Sequence, residues 1–182
     1  GDTQHSYPLE VLSQVFGGGT TSRLYRSLVI EQKLALSAGS FYDADQLGPS
    51  NFTIFASPRP GVGMDQIENA ILAEINKIRE NGVSQEELTR AKTGLQAEAV
   101  YARDSMDAGA RVLGAALSSG QTIADVEAWP DRIARVTADQ IKASANAVLR
   151  QKQSVTGYLL SGQSPPNQLR SNRPQNSKVT GP

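Results

Sequence analysis

The spacing of the apolar residues changes twice along this chain, and this change restricts the fold more than any other feature. Over residues 8–31 the apolar positions recur every three or four residues, as on one face of a helix. Over 34–57 they alternate, as in strands with one buried face, and over 64–149 the helical spacing returns. This order predicts an α+β domain in which helices pack on one face of a mostly antiparallel sheet.

Glycines and capping residues divide these regions into elements. Three glycines at 17–19 end a first helix, residues 8–16, and the hydroxyl residues at 20–22 can cap a second helix that reaches residue 31. Two strands, 34–43 and 51–57, precede a helix over 64–81. Capping boxes predict three further helix starts: Ser84 with Glu87, Thr122 with Asp125, and Thr137 with Gln140. The helix that starts at Ser84 is predicted to reach residue 103. The helix that starts at Thr122 is predicted to break at Pro130, and the one that starts at Thr137 to reach residue 149. A helix at 105–119 and a last strand at 155–160 complete the prediction.

Length and charge exclude several classes of protein. The chain has 182 residues, enough for one domain, here predicted as residues 1–161. Lys plus Arg and Asp plus Glu both number 18, which gives no reason to expect a nucleic-acid partner. No apolar run has the roughly 18 residues of a membrane span. Residues 162–182 are rich in Pro, Asn, Gln and Ser, which predicts a disordered tail. The chain begins at Gly1 with no initiator Met and no visible signal peptide, and we interpret it as a piece of a longer protein that lacks its first strand or strands.

Candidate metal ligands and nucleophile partners are scarce. The chain has no cysteine and one histidine, His5, which we interpret as an exposed residue. A zinc site needs three or four His, Cys, Asp or Glu ligands, and a Ser-His-Asp triad needs a placed histidine. We therefore predict neither site. The absence of cysteine is compatible with the periplasm or the cytoplasm of a bacterium.

The remaining polar features have modest interpretations. The glycine run can be a helix C-cap joined to an N-cap, a phosphate cradle without the Lys of a Walker loop, or a flexible loop that touches a peptide. The carboxylate pairs Asp43 with Asp45 and Glu86 with Glu87 are interpreted as solvated structure rather than acid–base machinery. Trp129 with Pro130 is interpreted as a packing anchor and a chain turn.

Six segments follow one another in a recognisable order over residues 6–160. They are Leu9-Glu10-Val11-Leu12 with Gly17-Gly18-Gly19, Ser22-Arg23-Leu24-Tyr25, Gly82-Val83-Ser84-Gln85-Glu86-Glu87-Leu88 with Arg90-Ala91-Lys92, Asp131-Arg132-Ile133, Val136-Thr137-Ala138-Asp139-Gln140-Ile141, and residues 153–160. This ordered set resembles the C-terminal half of the pitrilysin/insulinase family of inverse zincins, which includes the mitochondrial processing peptidase.

The resemblance implies a zinc-free half of a metallopeptidase. In that family, homologous α/β domains close around an unfolded peptide. The N-terminal domain carries His-x-x-Glu-His and a distal Glu, which bind zinc and activate water. That motif is absent here, so the resemblance implies zinc in the N-terminal domain of the parent protein and no cofactor in this part.

The resemblance also implies an Arg and a Tyr, seven residues apart, that hold the substrate and polarise the scissile carbonyl in active members. In this sequence those positions are Val29 and Leu36, whose side chains donate no hydrogen bond. Arg26 and Tyr42 lie nearby but out of register, although Tyr42 is at even strand spacing from Leu36 and could share its face. We therefore predict no catalytic residue in this chain.

Two hypotheses for the parent protein stay open. In the first, the parent binds zinc and a homologous partner subunit supplies the Arg and Tyr. In the second, it is a degenerate structural or peptide-holding subunit, similar to the core proteins of respiratory complex III. Under both, the domain is one wall of a chamber for unfolded peptides. The edge of the strand at 34–43 would pair with an extended peptide, and the glycine run is the candidate mobile loop. The predicted substrate contacts are Gly17, Gly18, Gly19, Leu36 and Ser37.

Overall fold

The computed structural model describes residues 3–44, 46, 48–102 and 108–160. Its elements in chain order are α1 (Thr3–Gly17), a π-helix (Tyr25–Glu31), β1 (Ala35–Tyr42), β2 (Phe52–Pro58), α2 (Met64–Asn81), α3 (Gln85–Ala102), α4 (Ala108–Ser118), α5 (Ile123–Arg135), α6 (Ala138–Val148) and a short 3-10 turn (Gln151–Gln153). The predicted bounds of α2 are confirmed. The predicted tail, Asp45 and residues 103–107 lie outside the described residues.

Helix α1 is the centre of the hydrophobic core. It packs against β1 on one side and against α3, α5 and α6 on the others. Because it is covered on several sides, its buried residues form a band wider than one stripe: Leu9, Val11, Leu12, Val15 and Phe16. Burying side chains of this size contributes about 1.5–3 kcal/mol each. The strands β1 and β2 form an antiparallel pair, and the helices pack on one of its faces, which confirms the predicted α+β class.

The three predicted capping boxes are confirmed. The side chains of Thr122 and Thr137 each accept a hydrogen bond from the backbone N–H three residues later, and the side chains of Asp125 and Gln140 accept the backbone N–H of Thr122 and Thr137 in return. Ser84 and Glu87 make the same exchange at 2.8 and 3.2 Å. These motifs act within one helical turn, and this is why local sequence predicts them.

The predicted second helix is wrong in type, because residues 25–31 form a π-helix. Its wider turn is shown by the N–H of Gln32, which donates to the Ser27 carbonyl five residues back at 2.9 Å. Three consecutive residues of the π-helix, Ser27, Leu28 and Val29, are buried. Ser27 Oγ donates to the buried carboxylate of Glu74 in α2 at 2.8 Å, a contact that local sequence does not reveal.

The predicted break at Pro130 is also wrong, because α5 continues through it to Arg135. A proline inside a helix removes one backbone hydrogen bond and costs stability. Here the guanidinium of Arg132 bridges to Asp125 at 2.8 Å, so that a side-chain bond spans the turn that contains the proline. The Pro130 carbonyl also accepts a bond from Gln96 of α3 at 3.3 Å. These contacts hold the helix together where its backbone is weakened.

The predicted last strand, residues 155–160, is not a strand in the described structure. Thr156 and Tyr158 both donate to the carboxylate of Glu68 in α2, so alternate side chains turn toward α2. The bond from Tyr158, and then that from Thr156, lowers the pKa of Glu68. Val155 and Leu159 point away and are almost fully exposed. The segment lacks the neighbouring strand that a ladder requires, since the described sheet contains β1 and β2 alone.

None of the helices within the described ranges is both long enough and apolar enough to cross a membrane.

Candidate functional site

The face of the hairpin opposite α1, here called the outer face, carries exposed apolar side chains. Its defining residues are Leu36, Ser37, Phe41 and Phe55. Leu36 is 59% exposed, Phe41 54% and Phe55 49%, which is high for large apolar groups on a sheet. A patch of this kind on one strand pair is a candidate surface for binding an apolar or extended partner.

A β-bulge places Leu36 and Ser37 on the outer face together. Ala35 pairs with Pro58 and Ser37 with Ser57, so Leu36 is the extra residue on β1. The extra residue shifts the alternation of the strand, and Ala35 and Ala38 are therefore both buried on the inner face. The two predicted contact residues from β1 are thus both solvent-accessible. Strict alternation would have turned one of them inward.

The same bulge contradicts the suggestion that Tyr42 shares a face with Leu36. Tyr42 turns inward, is half-buried, and stacks on Phe52 with the ring centroids 6.4 Å apart. The predicted separation of Arg26 from the Val29 position is also observed. Arg26 is exposed and lies 3.9 Å from Glu31, whereas Val29 is buried within the π-helix.

The three glycines of the run have different structural roles. An added Cβ at Gly17 would lie 1.8 Å from the backbone nitrogen of Ser40, so α1 and β1 approach as closely as only glycine permits. An added Cβ at Gly18 would meet the Gln14 side chain at 2.3 Å. Gly19 has φ of 87° and open space around it, as expected at a left-handed turn after a helix. This geometry fits the helix C-cap interpretation of the run.

The predicted N-cap role of Ser22 is wrong. Its hydroxyl donates to the Gly19 carbonyl at 2.7 Å and the residue is buried. The hydroxyl therefore closes the glycine turn and does not cap the following helix, whose Arg26 N–H donates to the Ser22 backbone carbonyl at 3.0 Å.

Arg59, which the sequence did not indicate, contacts Val29 and the residue before Leu36. Val29 and Leu36 are the two positions at which the resemblance predicts an Arg and a Tyr in active members. Its Nε donates to the Ala35 carbonyl at 3.2 Å and its Nη2 to the Val29 carbonyl at 3.4 Å. Its backbone N–H donates to the Leu34 carbonyl at 2.9 Å. The guanidinium therefore ties the turn after β2 to the end of the π-helix and the start of β1. Only the tertiary structure brings it there, because residue 59 is far from both positions in sequence.

Two of the segments that carry the family resemblance bind each other. The guanidinium of Arg23 donates to both carboxylate oxygens of Glu87, at 2.6 and 2.7 Å, and to the Gly82 carbonyl at 3.0 Å. The bond from Arg23, together with the bonds from Ser84, lowers the pKa of Glu87 to about 2 against the opposing effect of burial. This bidentate pair joins the π-helix region to α3. The motif residues Arg23 and Glu87 therefore stabilise the fold. Glu86, by contrast, is exposed and pairs with Arg90.

The interpretation of His5 as a simply exposed residue is wrong. Helix α1 begins at Thr3, earlier than predicted, and this places His5 within it. Its Nδ1 lies 2.9 Å from the hydroxyl of Ser144 in α6, which is buried. A serine so enclosed is inaccessible to a substrate, and the contact packs α1 on α6.

The described residues do not fit a zinc site. Over the described ranges, no three His, Cys, Asp or Glu side chains come together in a group that could hold a metal ion. Trp129 is an anchor, as predicted, since its indole N–H donates to both oxygens of Glu10 at 3.0 and 3.1 Å. It does not mark a turn, because α5 continues past it.

The geometry thus defines an α+β domain in which the Arg23–Glu87 pair and the glycine run maintain the fold and the outer face is exposed. Residues 1–95 match the family described as the peptidase M16 inactive domain, and the chain belongs to this family. This confirms the resemblance to the non-catalytic half of a pitrilysin/insulinase-type peptidase.

Similar proteins agree with this assignment. A Rickettsia felis protein named "uncharacterized zinc protease" is 29% identical over 167 residues, which are 90% of this chain and 38% of that protein. A Streptomyces coelicolor protein with the same kind of name is 29% identical over 156 residues, 84% of this chain and 33% of that protein. The chain therefore spans between about a third and two fifths of the length of these relatives.

Solved structures show the same fold. The inactive peptidase domain of a Bordetella parapertussis protein superposes with a TM-score of 0.79 at 23% identity, and covers 92% of this chain and 89% of that one. A protease from Helicobacter pylori gives a TM-score of 0.76 at 20% identity, over 84% of this chain and 36% of that one. These identities support the architecture alone.

Proposed function

We propose that this chain is the peptide-holding half of a zinc protease that acts on unfolded peptides. The observation that carries the proposal is the outer face, where three large apolar side chains lie exposed on a strand pair that has no third strand among the described residues. An extended peptide can add to such an edge through backbone hydrogen bonds, while its alternate side chains rest on Phe41 and Phe55. Membership of the inactive-domain family and relatives named zinc proteases support this role.

Catalysis in this proposal belongs to other parts of the assembly. Zinc is held by the N-terminal domain of the same parent protein, because the described residues here offer no ligand group. A homologous partner subunit supplies the Arg and Tyr, since Val29 is buried and Leu36 has no donor. The substrate contacts of this half are proposed to be Leu36 and Ser37 at the bulge and the glycine run beside β1.

We expect the outer face to bind an unfolded peptide with a measurable contribution from its aromatic rings. The double change Phe41→Ser with Phe55→Ser should weaken binding of an alternating Phe/Ser peptide about tenfold, because two aromatic contacts of roughly 0.5–1 kcal/mol each are lost. Amide chemical shifts of residues 35–42 would report the binding. The control Leu117→Ser removes an equally exposed apolar side chain from α4 and should leave the affinity unchanged.

A second comparison tests the strand-edge geometry. The same peptide with alternate backbone nitrogens methylated cannot complete a ladder and should bind far more weakly. Equal binding of both peptides, or an equal effect of the two serine variants, would contradict peptide holding on this face.

The alternative function is that of a structural subunit without enzymatic activity, and the lack of donor side chains at Val29 and Leu36 favours it. The two functions predict different activities for the parent protein. A zinc protease, mixed with its homologous partner, cleaves an unfolded peptide in a chelator-sensitive way, and a structural subunit does not. Cleavage by the parent without any partner would contradict the two-subunit proposal.

A further inference from the structure

Residues 154–160, here called the 154–160 segment, are not paired with any strand in the part of the chain that the structure describes. Ser154 has an extended backbone, with φ of −108° and ψ of 155°. Its N–H donates to the Gln151 carbonyl at 3.2 Å, and this is the last backbone hydrogen bond among the described residues. A row of backbone N–H and C=O groups without partners is a template for another strand. The segment therefore has the backbone chemistry of a free sheet edge.

The two sides of the 154–160 segment differ. Thr156 and Tyr158 both donate to Glu68 of α2, so residues two positions apart turn the same way, as in a strand. Val155 and Leu159 lie on the opposite side, where they are 99% and 94% exposed. The segment is thus held against α2 on one side and presents two apolar side chains to solvent on the other.

The sequence of the segment is self-complementary about Gly157. If two copies pair antiparallel with this glycine opposite itself, residues equally far from it on either side lie opposite each other. Val155 of one copy then meets Leu159 of the other, and Thr156 meets Tyr158. Cross-strand pairs of apolar, β-branched and aromatic side chains stabilise a sheet. The exposed apolar residues of one copy therefore match those of a second copy.

Charge and shape favour the same pairing. Residues 153–160 contain no Asp, Glu, Lys, Arg or Pro, which are the residues that commonly block edge-to-edge pairing. No like charges from this segment meet when two copies pair. An added Cβ at Gly157 would meet no atom within 4 Å, so the backbone at the centre of the segment is open to approach.

We propose that the 154–160 segment pairs antiparallel with the same segment of a second copy of this chain, across a two-fold axis at Gly157. The same surface is used by both copies, so the association closes at a dimer. Seven residues a side are far fewer than the roughly 20–30 of a standard interface, so the dimer is weak and depends on concentration. The inference is independent of peptide holding, which concerns the outer face.

Disulfide formation tests the register, because the chain has no cysteine of its own. Opposite residues of an antiparallel pair have Cα atoms about 4.5–5.5 Å apart, within the range that a disulfide spans. Gly157→Cys should therefore link two copies under mild oxidation. Ser154→Cys is the matched control, since its two copies would lie six residues out of register, about 20 Å apart. We expect Gly157→Cys to form the linked dimer at least about tenfold faster.

A charge exchange tests the pairing without a covalent bond. Sedimentation equilibrium of the wild type from about 10 µM to about 1 mM should show a rising dimer fraction. Val155→Lys and Leu159→Glu should each weaken the dimer at least about tenfold when alone, because a charge then faces an apolar side chain. Their equimolar mixture should recover the dimer, since the introduced lysine meets the introduced glutamate. Leu117→Lys, a change at an exposed residue of α4, should have no effect.

Four results would overturn the inference. A wild-type chain that stays monomeric over this range would show that another partner, or none, uses the 154–160 segment. Equal linking rates of the two cysteine variants would indicate random collision. A dimer that survives Val155→Lys would use a different surface, such as the outer face. A mixture of the charged variants that does not recover the dimer would contradict the register centred on Gly157.

Discussion

Gly17→Ala is expected to lower the free energy of unfolding by about 3 kcal/mol or more. The new Cβ would lie 1.8 Å from the Ser40 nitrogen and 2.5 Å from the Gly39 carbonyl carbon, which are backbone atoms and cannot rotate away. Helix α1 and β1 would have to separate, and the buried apolar residues between them would lose contact. Urea unfolding of the variant and the wild type at one pH measures the difference.

The control for this change is the same substitution at Gly114. That glycine lies within α4 with open space around its Cβ position, so Gly114→Ala should stabilise the protein by about 0.5–1 kcal/mol through helix propensity. We therefore expect the free energy of unfolding to fall in Gly17→Ala and to rise in Gly114→Ala. If Gly17→Ala costs no more than about 1 kcal/mol, the close approach of α1 to β1 described here is wrong.

Glu87→Gln is expected to lower the free energy of unfolding by about 2 kcal/mol at pH 7. The bond from Arg23, with those from Ser84, holds the pKa of Glu87 at about 2 in the folded protein, against 4.5 for an unperturbed glutamate. This difference corresponds to at most about 3–4 kcal/mol, and the 24% exposure of the side chain and the Ser84 bonds that a glutamine could keep reduce the expected value to about 2.

The sign of the pH effect follows from that lowered pKa. The ion pair contributes fully above the unfolded pKa of 4.5, and its contribution disappears as the pH falls toward about 2. Wild type and Glu87→Gln should therefore differ at pH 7 and converge near pH 2. Glu86→Gln is the matched control, because Glu86 is 85% exposed and its pair with Arg90 should contribute less than about 0.5 kcal/mol. Equal effects of the two substitutions would contradict a stabilising role for the Arg23–Glu87 pair.

The candidate site was predictable in part. The family resemblance indicated Leu36 and Ser37, and both lie on the outer face, but for a reason that the sequence does not contain. The bulge at Leu36 depends on how β1 registers against β2, and that same register brings Phe55 beside Gly39 and completes the apolar surface. Phe41 and Phe55 were recognisable as strand residues, yet only the pairing showed that they share a face. Whether these residues contact a peptide stays a prediction.

The sequence by itself determined the features that act over one helical turn or one strand. These are the capping boxes, the limits of α2, the helix-stopping glycines and the alternation of the hairpin, and each depends on residues within about four positions of each other. The tertiary structure decided what depends on distant partners. Ser27 of the π-helix has its hydrogen-bond partner in Glu74 of α2, and the closeness of α1 to β1 requires Gly17 against Ser40. The segment at 155–160 has the alternation of a strand but lacks a neighbour in the described sheet. The pattern of side chains along a segment indicates which of its faces can be buried. A β-ladder forms only where a second strand supplies the backbone hydrogen bonds.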